Sequence, residues 1–220
     1  MQGTGRRRGG GSITLGLIAL VTALPELVLW LADQGLIGSA LWRPLAYQYG
    51  AFWTGLLRDW QPNFPAQPVT MFLSYAVLHV GLGHLAGNLA GLLWLGREVA
   101  ARRGPLGLLA IWIGAALGGA AVFGLLAPGT APMVGASGAV FGLGGAWVVQ
   151  NWQEDRREGR DALGPALWAL GFFVALNLVS WLWEGGVLAW ETHLGGALAG
   201  AALALALPEK RKGRPKTPLP

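Results

Sequence analysis

A single serine, Ser137, stands between glycines in the apolar stretch GASGAVFG, residues 135–142. A serine hydroxyl becomes an effective nucleophile only when a nearby base takes its proton, and histidine has a suitable pKa for that task. The chain has only three histidines, and one of them, His193, opens the stretch HLGGALAG. Two interpretations are open for both residues. They are a nucleophile and its base, or they are a packing serine and a buried structural histidine, since small residues let membrane helices approach closely.

A second polar pair lies in the stretch HLAGN, where His84 and Asn88 are four residues apart and share one face of a helix. Acyl transfer builds negative charge on a carbonyl oxygen, which preset donors stabilise. His84, Asn88 and the backbone N–H of Ser137 are candidate donors for this oxyanion. The alternative for the pair is a purely structural hydrogen bond. No Asp lies in the interior of an apolar segment, so we predict a Ser137–His193 dyad in which packing, and no carboxylate, holds the histidine.

Glycines recur beside these residues at a spacing that favours close helix contact. Two glycines four residues apart follow the serine, and two more follow the histidine. Such pairs let two helices touch backbone to backbone, which would bring the serine hydroxyl within hydrogen-bond reach of a histidine ring nitrogen. The predicted packing glycines near the site are Gly135, Gly138, Gly142, Gly196 and Gly200.

The elements that must position these residues are membrane helices. Of the 220 residues, 53% are hydrophobic and 12% are charged, whereas soluble domains carry about 25% charged residues. A membrane span needs about 20 mostly apolar residues, and six segments qualify. We therefore predict an all-α membrane protein with a six-helix bundle, whose spans cover residues 12–33, 80–96, 106–127, 134–150, 163–183 and 188–207.

The basic residues predict the orientation of these spans. All but two of the 16 lysines and arginines lie before the first span or after the second, fourth and sixth. Because basic residues favour cytoplasmic loops, both termini are predicted to be cytoplasmic. Spans two, four and six then begin at the outer face, which places His84, Ser137 and His193 near one surface. The two exceptions, Arg43 and Arg58, lie in the first outer connection.

The chain divides into a basic segment, residues 1–11, a membrane domain, residues 12–207, and a basic tail, residues 208–220. The long outer connection, at about 38–71, is rich in aromatic residues. This density predicts an amphipathic segment in the lipid headgroup region, with an ordinary folded outer loop as the alternative.

Charged side chains near the spans carry further expectations. Glu26, beside Pro25 in span one, is expected to meet a backbone or side-chain donor near a kink. Glu184 and Glu191 sit at the outer interface. The net charge of +5 is read as a topology signal and not as a nucleic-acid surface. Cys is absent, so no thiolate metal site exists, and we expect neither a metal nor a cofactor.

The stretches HLAGN, GASG and HLGGALAG, in this order and spacing, resemble the three signatures of rhomboid intramembrane serine proteases. The resemblance covers residues 12–207, and the six predicted spans with an amphipathic outer connection also match that family. It implies hydrolysis of a peptide bond in or near the transmembrane segment of another protein. It implies Ser137 as the nucleophile and His193 as the general base and then the acid. His84 and Asn88 would help to bind the oxyanion.

Three further features of the sequence bear on this resemblance. His79 matches a histidine that family members often carry a few residues earlier, and it is a possible auxiliary residue. Some relatives carry a Trp-Arg pair where this chain has Thr70 and Met71. Thr192 precedes the last histidine, where a small apolar residue is common. These departures leave the dyad intact, but they weaken any transfer of detail about the outer connection.

Two rival functions are weighed against proteolysis. A catalytically silent rhomboid-like protein would bind membrane clients without cutting them, and loss of the serine or the histidine would mark that class. A small transporter would need a polar path across the membrane, whereas inner halves such as LLWLG and ALALAL are apolar. We expect transmembrane protein substrates and membrane lipids as partners, no nucleic acid, and a multi-pass location in a bacterial inner membrane. The oligomeric state is left open.

Overall fold

The structure, a computed structural model, describes residues 9–183 and 188–209. The predictions on the basic residues before residue 9, on Glu184 and on the tail from Lys210 onward lie outside the described residues. The long elements of the described chain are all helical. They are α1 (Gly9–Asp33), α2 (Trp42–Gly50), α3 (Gln67–Ser74), α4 (Leu82–Leu126), α5 (Ser137–Arg157), α6 (Leu163–Trp183) and α7 (Trp190–Ala206).

Helix α4 combines two of the predicted spans in one bent element of 45 residues. The bend lies at Gly104, which has φ 78° and ψ −176°, followed by Pro105. Proline lacks a backbone N–H and disfavours the helical conformation in the preceding residue, and glycine tolerates a positive φ. The dipeptide therefore ends one helical limb and begins the next, at residues 82–103 and 105–126.

Helices α5 and α7 form the centre of the fold. They pack closely against each other and against α4, while α1 covers α4 and α6 makes its main contacts with α5. By length and composition alone, three helices of the described chain could cross a membrane, namely α1, α4 and α6. Each of the six predicted spans contains helix, but the six-span count and the orientation of the termini stay predictions.

The outer connection folds partly into the core. The backbone of Phe52 pairs with that of Met133 in an antiparallel bridge, through two hydrogen bonds of 3.0 Å. The buried ring of Phe52 meets three other rings edge-on, those of Phe72, Tyr75 and Phe123. Other aromatic side chains of the connection stay exposed, among them Trp42, Tyr49 and Trp60. The connection therefore contains both a folded loop and exposed aromatic residues suited to the headgroup region.

Charged side chains gather at the end of α5 that is remote from Ser137. Arg102 pairs with Glu154 at 3.0 Å, and Arg157 pairs with Glu209. Because α5 has 21 residues, its two ends are about 30 Å apart. Arg102 and Arg157, two of the basic residues used to predict the cytoplasmic side, thus lie far from the candidate site.

Candidate active site

The contact between α5 and α7 runs through glycine backbone. A Cβ atom at Gly196 would overlap the carbonyl oxygen of Gly138, and one at Gly200 would overlap that of Gly142. These four positions have no room for a side chain, so the two helices approach as closely as their backbones permit. The close approach brings the first turn of α5 beside the first turn of α7.

Ser137 is the first residue of α5 and is half-buried. The preceding turn depends on Gly135, which has φ +128° and whose Cβ would meet Cε1 of His84 at 2.7 Å. Gly135 therefore lies in a loop against a histidine ring, and the helix-packing role predicted for it does not describe this position. A glycine is required at position 135 because the backbone has a positive φ and because the His84 ring occupies the space where a Cβ would lie.

His193 lies in the first turn of α7 and is 4% exposed. Its ring stacks on Phe141 of α5, with centroids 4.1 Å apart and planes 3° from parallel. Phe141 follows Ser137 by four residues, so the histidine ring stacks on a side chain about one helical turn from the serine. Nδ1 of His193 is 2.9 Å from Oδ1 of Asn177 in α6. An amide oxygen only accepts hydrogen bonds, so Nδ1 carries the proton and Nε2 keeps its lone pair.

Two contacts hold the His193 ring. It packs on Phe141, and the predicted packing is joined by a hydrogen bond to an amide, Asn177, which the sequence did not indicate. In the described part of the chain, no hydrogen bond joins Ser137 to His193. Catalytic hydrogen bonds in sites without substrate are often long and close only when substrate binds.

His84 and Asn88 both lie on the first limb of α4, but they point differently. The ring of His84 abuts Gly135, two residues before the serine, and its buried Nδ1 has no hydrogen-bond partner. Asn88 is buried, and its Nδ2 donates to the carbonyl oxygen of His84 at 3.0 Å. One of the two amide hydrogens of Asn88 is thus committed to its own helix, which leaves one for a ligand.

Comparison with known proteins decides the family. The model of the Rhomboid domain matches residues 66–210, which is more than half of the chain. The chain belongs to the rhomboid family. The predicted family is therefore confirmed, and the rhomboid domain together with the apolar helices identifies an integral membrane protein. No curated protein matches the chain.

The rhomboid's third histidine, His79, braces the turn before Ser137. It is fully buried in the segment ahead of α4, and its Nε2 accepts a hydrogen bond of 3.4 Å from the backbone N–H of Ala136. Its ring meets that of His84 edge-on, with centroids 5.2 Å apart. Burial lowers the pKa of His79 to about 3, so the ring is neutral at physiological pH.

The sequence patterns did not indicate the contacts of two polar residues in this rhomboid, Asn177 and Arg43. Asn177 lies in an apolar helix, and a strongly polar side chain within such a helix was the available signal. Arg43 was counted only as an exception to the charge rule, yet it forms an ion pair with the buried Glu26 at 2.8 Å. The expectation that Glu26 meets a side-chain donor is therefore confirmed, with Arg43 as the donor.

Proposed function

We propose that this rhomboid is an intramembrane serine endopeptidase that cuts the transmembrane segments of other membrane proteins near the outer face. The environment of His193 carries the proposal. Its ring stacks on Phe141, one turn from Ser137, and Asn177 occupies its Nδ1. Nε2 is then the ring nitrogen that is free to act as the base. A nucleophile, a base and a group that orients the base are the parts that acyl transfer requires.

In the proposed reaction, Oγ of Ser137 attacks the carbonyl carbon of the scissile peptide, and the hydroxyl proton passes to Nε2 of His193. The carbonyl oxygen becomes an oxyanion, for which the proposed donors are the Ser137 backbone N–H, His84 and Asn88. The C–N bond then breaks as His193 gives its proton to the leaving amine. Water attacks the acyl-serine ester with His193 again as the base, which releases the carboxylic acid and restores the serine.

The proposed topology has six spans, both termini in the cytoplasm, and the site near the outer face of a bacterial inner membrane. The helices within the six apolar segments support it, as do the ion pairs at the end of α5 remote from Ser137. On this topology, water reaches the serine from the outer side, while the apolar inner halves of the helices keep the rest of the membrane sealed.

The alternative is a catalytically silent rhomboid that binds membrane clients without cutting them. The observation that favours it is the missing hydrogen bond between Ser137 and His193 in the described chain. The two functions differ in one measurable property, which is whether the serine is activated toward an electrophile.

Labelling of the purified protein in detergent with a fluorophosphonate probe tests the proposal, because the probe reacts with an activated serine. We expect label on the wild type and on the Ser180→Ala control, which changes another serine in a membrane helix. We expect none on Ser137→Ala or His193→Ala. In proteoliposomes, fragment masses of a single-span reporter should then locate the cut near the outer face. A folded wild type that stays unlabelled beside a labelled control rhomboid would refute the protease and favour the client binder.

A further inference from the structure

Arg43, near the start of α2, binds two other segments of the chain at once. Its guanidinium makes a two-pronged pair with Glu26 of α1, at 2.8 and 2.9 Å. Its Nε donates to Asp33, at the end of the same helix, at 2.6 Å. Its Nη1 also donates to the backbone carbonyl oxygen of His79 at 2.9 Å. The start of α2 is thereby tied both to α1 and to the segment that leads into α4.

The carbonyl oxygen of His79 receives a second donor from the same helix. The hydroxyl of Tyr47, one turn after Arg43, donates to it at 2.6 Å. The ion pair between Arg43 and Glu26 is largely shielded from solvent, since the Glu26 side chain is 0% exposed and that of Arg43 is 19% exposed. A buried, hydrogen-bonded charge pair fixes geometry strongly, because any displacement leaves a charge without its partner.

The contacts continue from His79 to the candidate nucleophile. The His79 ring accepts from the N–H of Ala136, the residue immediately before Ser137, at 3.4 Å. We propose that Arg43 is a positioning residue for the active site. From the outer connection it fixes the main chain of His79, and through the His79 ring it fixes the turn that presents Ser137. The inference rests on the proposed function for its effect on catalysis, but its structural part can be measured separately.

Arginine is required at this position because of the number and direction of its donors. The planar guanidinium donates to both oxygens of Glu26, and its other N–H groups donate to Asp33 and to the His79 carbonyl oxygen. A lysine ammonium cannot make this set of hydrogen bonds, because its three donors sit on one nitrogen. Arg43 therefore links the outer connection both to α1 and to the segment before α4.

The test compares full-length variants in detergent by their rate of fluorophosphonate labelling and by their melting temperature. Arg43→Gln should label at least tenfold more slowly, and Arg43→Lys should fall between it and the wild type. Arg58→Gln is the matched control, since Arg58 is the other basic residue of the outer connection and is exposed. It should label at the wild-type rate.

A paired variant separates positioning from stability. Glu26→Gln with Arg43→Gln removes both buried charges, so the melting temperature should recover relative to Arg43→Gln alone. The labelling rate should stay slow, because the link to His79 is still lost. Recovery of the rate together with the melting temperature would refute the positioning role. So would a wild-type rate in Arg43→Gln measured well below its melting temperature.

Hydrogen–deuterium exchange provides the readout that does not depend on activity. The peptide that contains Ala136 should lose protection in Arg43→Gln and in Tyr47→Phe, and keep it in Arg58→Gln. If the wild type takes no label, the proposed protease fails while this measurement still decides the inference. Unchanged protection of the Ala136 peptide in Arg43→Gln would overturn it, whatever the labelling result.

Discussion

Replacing Gly196 with alanine tests how closely α5 and α7 must approach for the active site to form. A Cβ at this position would overlap the carbonyl oxygen of Gly138, well inside the 3.0 Å that Cβ contacts essentially never cross. Because the opposing atom belongs to the backbone, no side-chain rotation relieves the overlap. The two helices must therefore move apart.

The magnitude follows from two opposing effects. Overpacking costs about 1–3 kcal/mol, and replacing a glycine inside a helix gains about 1 kcal/mol in helix propensity. Since the backbone cannot yield locally, we take the upper end of the cost and expect a net loss of about 2 kcal/mol. For a chain of this length the melting temperature should fall by about 4–8 °C. A shift of about 1 Å between Ser137 and His193 should slow labelling by about 100-fold.

The assay is thermal unfolding in detergent, paired with fluorophosphonate labelling far below the melting temperature. Gly171→Ala on α6 is the matched control, because a Cβ there would meet nothing within 4 Å. Helix propensity alone should raise its melting temperature by about 2–4 °C, with labelling unchanged. A Gly196→Ala protein as stable and as reactive as this control would show that α5 and α7 do not depend on backbone contact.

Three further predictions concern the surroundings of the dyad. Asn177→Leu removes the acceptor for Nδ1 of His193, so the labelling rate should fall by about five- to tenfold at nearly constant melting temperature. Asn177→Asp keeps an acceptor and should label faster than Asn177→Leu. Equal rates for the two variants would contradict the orienting role of Asn177. Gly135→Ala forces a side chain into a positive φ and against the His84 ring, so labelling should be lost while the melting temperature falls by only a few degrees; full activity of this variant would refute the account of that turn. The pKa of His79 is about 3 in the folded protein, against an ordinary value of 6.5, so its contribution to stability is complete above pH 6.5 and is lost progressively as the pH falls toward 3. At pH 5 the loss should be about 2 kcal/mol, measured as the difference in unfolding between the wild type and His79→Asn, and an identical pH dependence in the two proteins would count against it.

The helices of the fold were predictable because their signals are local. Apolar runs of the right length locate α1, α6 and α7, and the Gly104–Pro105 dipeptide marks the bend within α4. The motifs also identified the family, since three short stretches in the right order specify it. The burial of Phe52 was not predictable in this way. It depends on a backbone bridge to Met133, and nothing in the composition of either segment indicates that pairing.

The polar residues of the site also divide into those with a local sequence signal and those without one. Ser137, His84 and His193 stand in recognisable motifs, whereas Asn177 contacts His193 across 16 residues of sequence without any motif of its own. Arg43 reaches the His79 carbonyl across 36 residues. Contacts of this kind depend on the rotation of each helix about its axis, which hydropathy patterns define only coarsely. Identifying them required the three-dimensional arrangement of the helices.

The hydrogen bond between Asn177 and His193 joins α7, which packs closely against α4 and α5, to α6, which packs far less tightly on the other long helices. Helix α6 makes its main contacts with α5 and exposes most of its apolar side chains. An incoming transmembrane segment that pushed α6 aside would separate Oδ1 of Asn177 from Nδ1 of His193 and remove the hydrogen bond that orients the imidazole, although the ring would still stack on Phe141. The base would then be idle during entry and competent only after α6 returns. In the proposed protease, membrane proteins that leave before α6 returns would be spared, and those that stay would be cut.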